Sequence, residues 1–315
     1  MKIVAVEPIG ISPEKAEFFK TEYAKQGIDF IYYPDRNEDP NELKKRMFEA
    51  DIVIVSNIPL SGDILGCCPF LKMISVAFTG LDHIDLQYCK ENKIVVKNAA
   101  GYATTGVAEL AIGLMIDILR HITFLDENTR NGRTRNNFLG RQIKGKTVGI
   151  IGTGAIGIET AQLAKAFGAQ VLGWSRTERE EATKVGIEYV SLEQLLTNSD
   201  IISLHTPLTE ETYHLINDQR LSLCKPNSVI INTARGNVID MSALAQSLHN
   251  GTLAGAAIDV FEKEPPLALD HPLFQVPNCI VVPHIAYATQ EAFEERIKIV
   301  IQNINQFLNS KNSHF

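Results

Sequence analysis

Residues 147–157 read TVGIIGTGAIG, and the stretch continues from Ala155 as AIGIETAQLAKAFG. A short β-branched run enters a glycine turn, and a helix-forming stretch leaves it. A dinucleotide-binding turn requires this strand–turn–helix context. Gly152 permits the tight turn, Gly154 lets the backbone approach a pyrophosphate, and Gly157 allows close packing of helix on strand. The amides of Ala155 and Ile156 open the helix, where the helix dipole favours negative charge.

Working outward, strand-like and helix-like segments alternate along almost the whole chain. KIVAV, IDFIYY, DIVIVS, LKMISV and IVVKN are short apolar runs within the first hundred residues, separated by polar stretches of helix length. A second series starts at Thr147 and continues through QVLGWS, IEYV, DIISLH, SVIINT, LAGAAIDV and CIVVPH. This alternation predicts an α/β fold of two doubly wound, parallel-sheet units. A long apolar helix is predicted from about Thr105 to His121, apolar on most faces and therefore buried. The polar stretch Asp126–Lys146 reads as an extension or loop outside both cores. Thr289–Leu308 has apolar residues at helical spacing and predicts an amphipathic helix, with the tail Asn309–Phe315 frayed. Ser191 and Gln194 have capping-box spacing.

The chain has 315 residues, 45% of them hydrophobic and 21% charged, which suits two soluble globular domains. A net charge of −7 without a Lys/Arg run argues against nucleic acid and anionic membranes as partners. The apolar run at the N-terminus is too short for a signal peptide, and no run reaches bilayer-spanning length. Five cysteines, with Cys67 and Cys68 adjacent, show neither a disulfide framework nor metal-ligand spacing. The expectation is a cytoplasmic protein without a metal.

The strand after the glycine turn, QVLGWS, ends where the adenine ribose of a dinucleotide is met. NAD enzymes usually have Asp or Glu there. This chain has Ser175, followed by Arg176 and Thr177. Loss of the carboxylate removes its repulsion of a 2′-phosphate, and Arg176 can pair with that phosphate. The segment favours NADP(H), with NAD(H), its ribose held by the serine hydroxyl, as the alternative.

Three further residues lie where predicted strands run out: Arg235 in SVIINTARGNVID, Glu264 in AAIDVFEKEPP and His284 in IVVPHIAYATQEA. A guanidinium suits an anionic substrate. An imidazole tuned by a carboxylate suits proton transfer beside a cofactor that transfers hydride.

These segments, with TGLDHIDL (79–86), the block 98–115, DIISLHTPLTEET (200–212) and KPNSVIINTARGNVID (225–240), resemble the D-isomer-specific 2-hydroxyacid dehydrogenases. That family includes glyoxylate/hydroxypyruvate reductases and phosphoglycerate dehydrogenases. The resemblance implies a Rossmann cofactor domain (99–285) inserted in a flavodoxin-like substrate domain (1–98 plus 286–315). It also implies a homodimer built largely through the region 101–145. By the same resemblance Arg235 binds the carboxylate and carbonyl of a 2-keto acid, His284 is the acid/base and Glu264 its partner. The amides of Thr79 and Gly80 cradle the carboxylate, while Thr233, Ala234, Asp259 and the segment His284–Ala286 line the nicotinamide side. His205 matches a position without catalytic role.

Departures from the family pattern narrow the substrate. Phosphoglycerate dehydrogenases tend to carry an arginine near the position of Val76, where SVAFTG has no cation. Phe78 replaces a usual glycine, either narrowing the pocket or filling core, and Tyr287 stands where several hydroxypyruvate reductases have tryptophan. A small, unphosphorylated 2-keto acid such as glyoxylate, hydroxypyruvate or pyruvate is the expected substrate, with phosphoglycerate oxidation as the alternative. A cofactor-sensing binding protein resembling the corepressors of this fold is the reading from another class.

Overall fold

A computed structural model describes residues 1–263, 266–276 and 278–312. The chain divides into two compact units, Met1–Ala103 with Ala288–Phe315 and Thr104–Tyr287.

The first unit opens with β1 (Lys2–Ala5), α1 (Pro13–Ala24), β2 (Asp29–Tyr32), α2 (Pro40–Met47) and β3 (Ile52–Val55). It continues through α3 (Gly62–Leu65), β4 (Met73–Val76), α4 (Leu86–Glu91) and β5 (Val95–Asn98). All pairings are parallel, in the order β2-β1-β3-β4-β5. This is the flavodoxin-like strand order. The inner strands IVIV and MISV are buried at every residue, whereas VVKN at the edge alternates exposed and half-buried positions. Strands covered on both faces need continuous apolar runs, and an edge strand does not. Ser12 caps α1, its hydroxyl accepting the Lys15 amide at 3.3 Å, and Pro13 supplies a helix-compatible φ at the first turn.

The second unit begins with α5 (Thr104–Arg120) and α6 (Ile122–Arg130). There follow β6 (Thr147–Ile151), α7 (Ala155–Ala166), β7 (Gln170–Trp174), α8 (Glu180–Lys184), β8 (Glu188–Tyr189), α9 (Leu192–Asn198) and β9 (Ile201–Leu204). Then come α10 (Asp218–Leu221), β10 (Val229–Asn232), α11 (Met241–His249), β11 (Gly255–Ile258) and β12 (Cys279–Val281). Its seven parallel strands lie in the order β12-β11-β10-β9-β6-β7-β8, the Rossmann arrangement with one strand added. Successive strand residues face opposite ways. Ile202, Leu204, Ile230 and Ile258 join α9 and α11 in one core cluster, while Ile201, Val229, Ile231 and Ala257 join α5 and α7 in the other. Burying such a side chain contributes about 1.5–3 kcal/mol relative to exposure. The Ser191–Gln194 capping box is present at the start of α9.

The stretch Asp126–Lys146 differs from its reading as a loop outside both cores. Residues 126–130 continue α6, which begins after His121 turns the chain through a left-handed conformation (φ 52°). An i,i+4 ion pair, Arg130 to Asp126 at 2.7 Å, supports that helix. Ile143, at the far end of the stretch, is buried in the cluster beneath α5 and α7.

The last helix, α12 (Gln290–Asn312), returns to the first unit and runs beyond the predicted end at Leu308. The Asn309–Asn312 part of the tail is therefore helical rather than frayed. Thr289 accepts the Ala292 amide at 3.1 Å near its start. Arg296, buried in this unit, donates to the Ile9 carbonyl at 2.9 Å and lies over the Phe293 ring at 4.2 Å. Among the described residues no helix is long and apolar enough to cross a membrane.

Candidate active site

The glycine turn stands at the carboxyl end of β6, between β7 and β9. Gly152 has φ 98°, its amide donates to the Trp174 carbonyl at 2.8 Å, and a Cβ would lie 2.6 Å from the His205 carbonyl. Both flanking strand ends thus close directly on this residue, and only glycine fits. At Gly157 a Cβ would sit 2.0 Å from the Gly152 oxygen. Helix α7 approaches β6 that closely because the side chain is missing.

Gly154 is different. Its φ of −77° suits any residue, and a Cβ there would meet nothing within 4 Å. The protein's own packing makes no demand for glycine at this position. The missing side chain instead leaves open space against the amino end of α7, whose N-cap supplies no side-chain hydrogen bond. Open space beside the first amides of a helix is what a pyrophosphate would need. Ala155 is exposed and Ile156 half-buried there, as a cradle for an anion requires.

Ser175, Arg176 and Thr177 follow β7 directly, the first half-buried and the other two exposed. The Tyr189 hydroxyl ties this loop to the turn: it lies 2.6 Å from Thr153 Oγ1 and accepts the Arg179 amide at 2.9 Å. Arg176 donates to Glu211 at 3.1 Å, a pairing the sequence did not disclose.

The strands β10, β11 and β12, on the far side of β9, lead into the loops of the residues predicted to react. Asn232, Ile258 and Val281 pair across β10, β11 and β12, so the three following loops leave the same edge together. The loop Thr233–Arg235 is set by Asn232, which is fully buried. Its Oδ1 accepts the Ala234 amide and its Nδ2 donates to the Arg235 carbonyl, both at 3.0 Å. The Arg235 guanidinium donates to the Ala234 carbonyl at 2.8 Å. At Gly236 a Cβ would lie 2.0 Å from the Phe261 carbonyl. The Arg235 loop therefore presses on the segment leading towards Glu264, which itself lies outside the described residues.

Asp259, fully buried at the end of β11, holds the His284 loop. Its carbonyl accepts the His284 amide at 2.8 Å; its carboxylate accepts the amides of Ile285 at 2.7 Å and Ala286 at 3.1 Å. His284 adopts a left-handed conformation (φ 53°), costly for a residue with a Cβ, and these three bonds sustain it. The Tyr287 ring meets the imidazole edge to face, centroids 5.2 Å apart. The loop-setting roles of Asn232, Gly236 and the Asp259 carboxylate escaped the sequence reading. An Asx-type residue closing an apolar strand was the available signal for Asn232.

Several remaining residues fall into place within their own units. Thr79 and Gly80 follow β4 in the first unit, with the Thr79 carbonyl accepting Asn98 Nδ2 at 2.6 Å. Phe78 is buried. Lys72 is half-exposed and ion-paired with Asp51, the role its side chain plays here. His205 Nε2 lies 2.9 Å from Ser203 Oγ; its Nδ1 is shut off from solvent and has no partner among the described residues. Burial pushes this imidazole down to about 3, so it is neutral. Among the described residues no group of three or more His, Cys, Asp or Glu could hold a metal ion.

Residues 112–286 match the model of the D-isomer specific 2-hydroxyacid dehydrogenase NAD binding domain. The chain is 40% identical to a glyoxylate reductase of Thermococcus litoralis over 273 residues, 84% of this chain and 82% of that one. It is 40% identical to a hydroxypyruvate reductase of Thermotoga maritima over 257 residues, 81% and 83% of the two chains. Among solved structures, an acyclic imino acid reductase in complex with NADPH and D-Arg superposes with a TM-score of 0.89. That match has 32% identity and covers 99% of this chain and 98% of the other. The family model spans the glycine turn and both strand-end loops that carry Arg235 and His284, and the chain belongs to the D-isomer-specific 2-hydroxyacid dehydrogenases.

Proposed function

We propose that this protein reduces a small 2-keto acid, of the glyoxylate or hydroxypyruvate type, to the D-2-hydroxy acid with a reduced nicotinamide cofactor, NADPH in preference to NADH. The observation that carries the reading is one sheet edge bearing an open phosphate cradle at Gly154 and, on loops fixed by buried Asn232 and Asp259, Arg235 and His284.

When bound, the reduced nicotinamide supplies the hydride to the substrate's carbonyl carbon. Arg235 holds the substrate carboxylate and carbonyl through its planar fork. His284, as imidazolium, gives its proton to the carbonyl oxygen and is left neutral; in the reverse direction it removes the hydroxyl proton. Glu264 orients that ring and favours its charged form. The amides of Thr79 and Gly80 cradle the carboxylate. Thr233, Ala234, Asp259 and Ala286 line the nicotinamide side, while Ala155 and Ile156 face the pyrophosphate. Ser175, Arg176 and Thr177 take the ribose and its 2′-phosphate. In this reading residues 99–285 form the cofactor domain, residues 1–98 with 286–315 form the substrate domain, and the working protein is a homodimer. The absence of a cation in SVAFTG, with Lys72 engaged by Asp51, favours an unphosphorylated substrate.

The test is a panel of 2-keto acids crossed with NADH and NADPH, followed by the absorbance of the reduced cofactor. Turnover with glyoxylate or hydroxypyruvate is the expected result. Cofactor binding without turnover of any 2-keto acid would overturn it in favour of a sensing protein.

A further inference from the structure

Arg176 stands two residues beyond β7, and Glu211 lies in the loop after β9. Strand β6, which ends in the glycine turn, runs between β7 and β9 in the sheet. The 3.1 Å ion pair between these side chains therefore links the two loops that flank the cofactor turn. Both partners are largely exposed, at 76% and 71% of their side-chain surface, so a ligand can reach either. The pairing residue is also chemically notable. A carboxylate that would accept ribose hydroxyls is missing from β7's end, where Ser175 stands, yet an acid reaches the neighbouring arginine from another loop.

We propose that Glu211 is a specificity-determining residue for the adenosine end of the cofactor, competing with the 2′-phosphate for Arg176. This rests on the reading of Arg176 as the phosphate's partner. Without the phosphate, Glu211 holds the guanidinium. A 2′-phosphate must displace the carboxylate and then bears its negative charge nearby, so the arginine's full preference for NADPH is not expressed. A cofactor lacking the phosphate leaves the pair intact. Glu211 thus narrows the gap between the two cofactors from a loop distant in sequence from the ribose-binding strand.

The experiment measures binding of adenosine fragments, 2′,5′-ADP and 5′-AMP, to the whole protein and its variants. The chain's one tryptophan, Trp174, adjoins Ser175 and gives a fluorescence signal, with calorimetry as the second readout. Glu211→Gln should tighten 2′,5′-ADP by about three- to tenfold, the scale of an exposed ion pair plus relief of repulsion. Affinity for 5′-AMP should stay within about twofold, because an exposed charge distant from a bound group contributes little. In an Arg176→Ala background the gain should shrink to about twofold or less, the part owed to relief of repulsion alone. If Arg176→Ala weakens 2′,5′-ADP but Glu211→Gln leaves it unchanged, the competition is refuted while the phosphate role of Arg176 stands. If Arg176→Ala leaves 2′,5′-ADP unchanged, that role fails and the competition with it. Equal tightening of both fragments by Glu211→Gln would also overturn the proposal, since it would reveal only a general charge effect.

Discussion

Asp259 and His284 meet through the main chain: the His284 amide donates to the Asp259 carbonyl at 2.8 Å, and the next two amides donate to the Asp259 carboxylate. A buried acid just after one strand thereby sets the backbone of the histidine proposed as the acid/base just after the next. Asp259→Asn keeps the shape but turns an N–H2 towards one of those amides. Stability should fall by about 1–3 kcal/mol, the cost of one buried donor left unpaired. Activity should fall as well, because the His284 conformation loses support. Urea unfolding and kcat measured on the same preparation check this; an unaltered midpoint would show that the loop holds without the carboxylate.

His284→Ala removes the proposed proton donor and should lower kcat by about 10²–10⁴-fold. Cofactor affinity, measured by Trp174 fluorescence, should change little. Near wild-type turnover in the variant would move the proton transfer to another group.

Arg235→Lys retains charge and loses the two-point fork. With one charge-assisted bond gone, worth about 1.5–3 kcal/mol, kcat/KM should drop by one to two decades, through both a higher KM and a lower kcat. Steady-state kinetics on the best substrate provide the check, and unchanged constants would place the carboxylate site elsewhere.

The glycines of the turn should separate folding from binding. Gly157→Ala puts a Cβ 2.0 Å from the Gly152 oxygen and should destabilise the fold by about 1–3 kcal/mol. Gly154→Ala meets no protein atom within 4 Å, so thermal stability should stay within about 0.5 kcal/mol of wild type. Cofactor affinity should nevertheless fall, since the methyl group enters the phosphate space. A Gly154→Ala variant that binds cofactor normally would show that the cradle lies elsewhere.

His205 should make stability depend on acid. Burial lowers its value from 6.5 to about 3, so the unfolded chain takes up the proton first. Its contribution is complete above pH 6.5 and is lost as pH falls towards 3, at up to about 1.4 kcal/mol per pH unit. Urea unfolding between neutral and mildly acidic pH should show a shallower decline for His205→Gln than for wild type. Parallel curves would mean that the imidazole titrates normally.

The glycine turn and the two sheets were legible because their signals are local. Three glycines, an apolar run and a helix sit side by side in sequence, and buried parallel strands announce themselves as unbroken β-branched runs. Helix α6 was masked by polar composition: its support comes from an i,i+4 ion pair and a left-handed His121 rather than from an apolar stripe. The hold of Asp259 on residues 284–286 was hidden because it depends on β11 pairing with β12, across an intervening segment of 20 residues. The pairing of Arg176 with Glu211 was equally invisible, since it requires knowing that β7 and β9 flank β6.

The discontinuity of the first unit has a consequence for biosynthesis. Ser75 Oγ on β4 donates to the Val300 carbonyl at 3.4 Å, the Asn98 carbonyl accepts Asn303 Nδ2 at 3.0 Å, and Tyr23 donates to Asn305 at 3.3 Å. A ribosome making about 5–20 residues per second needs roughly 10–40 seconds to pass from residue 103 to residue 288. During that interval the nascent N-terminal sheet has no α12 to cover Ser75 and β4, while the contiguous second unit emerges entire. The later-made unit can therefore finish folding first, and the earlier one waits, with part of its apolar surface open to chaperones, for the helix encoded after the whole of the second unit.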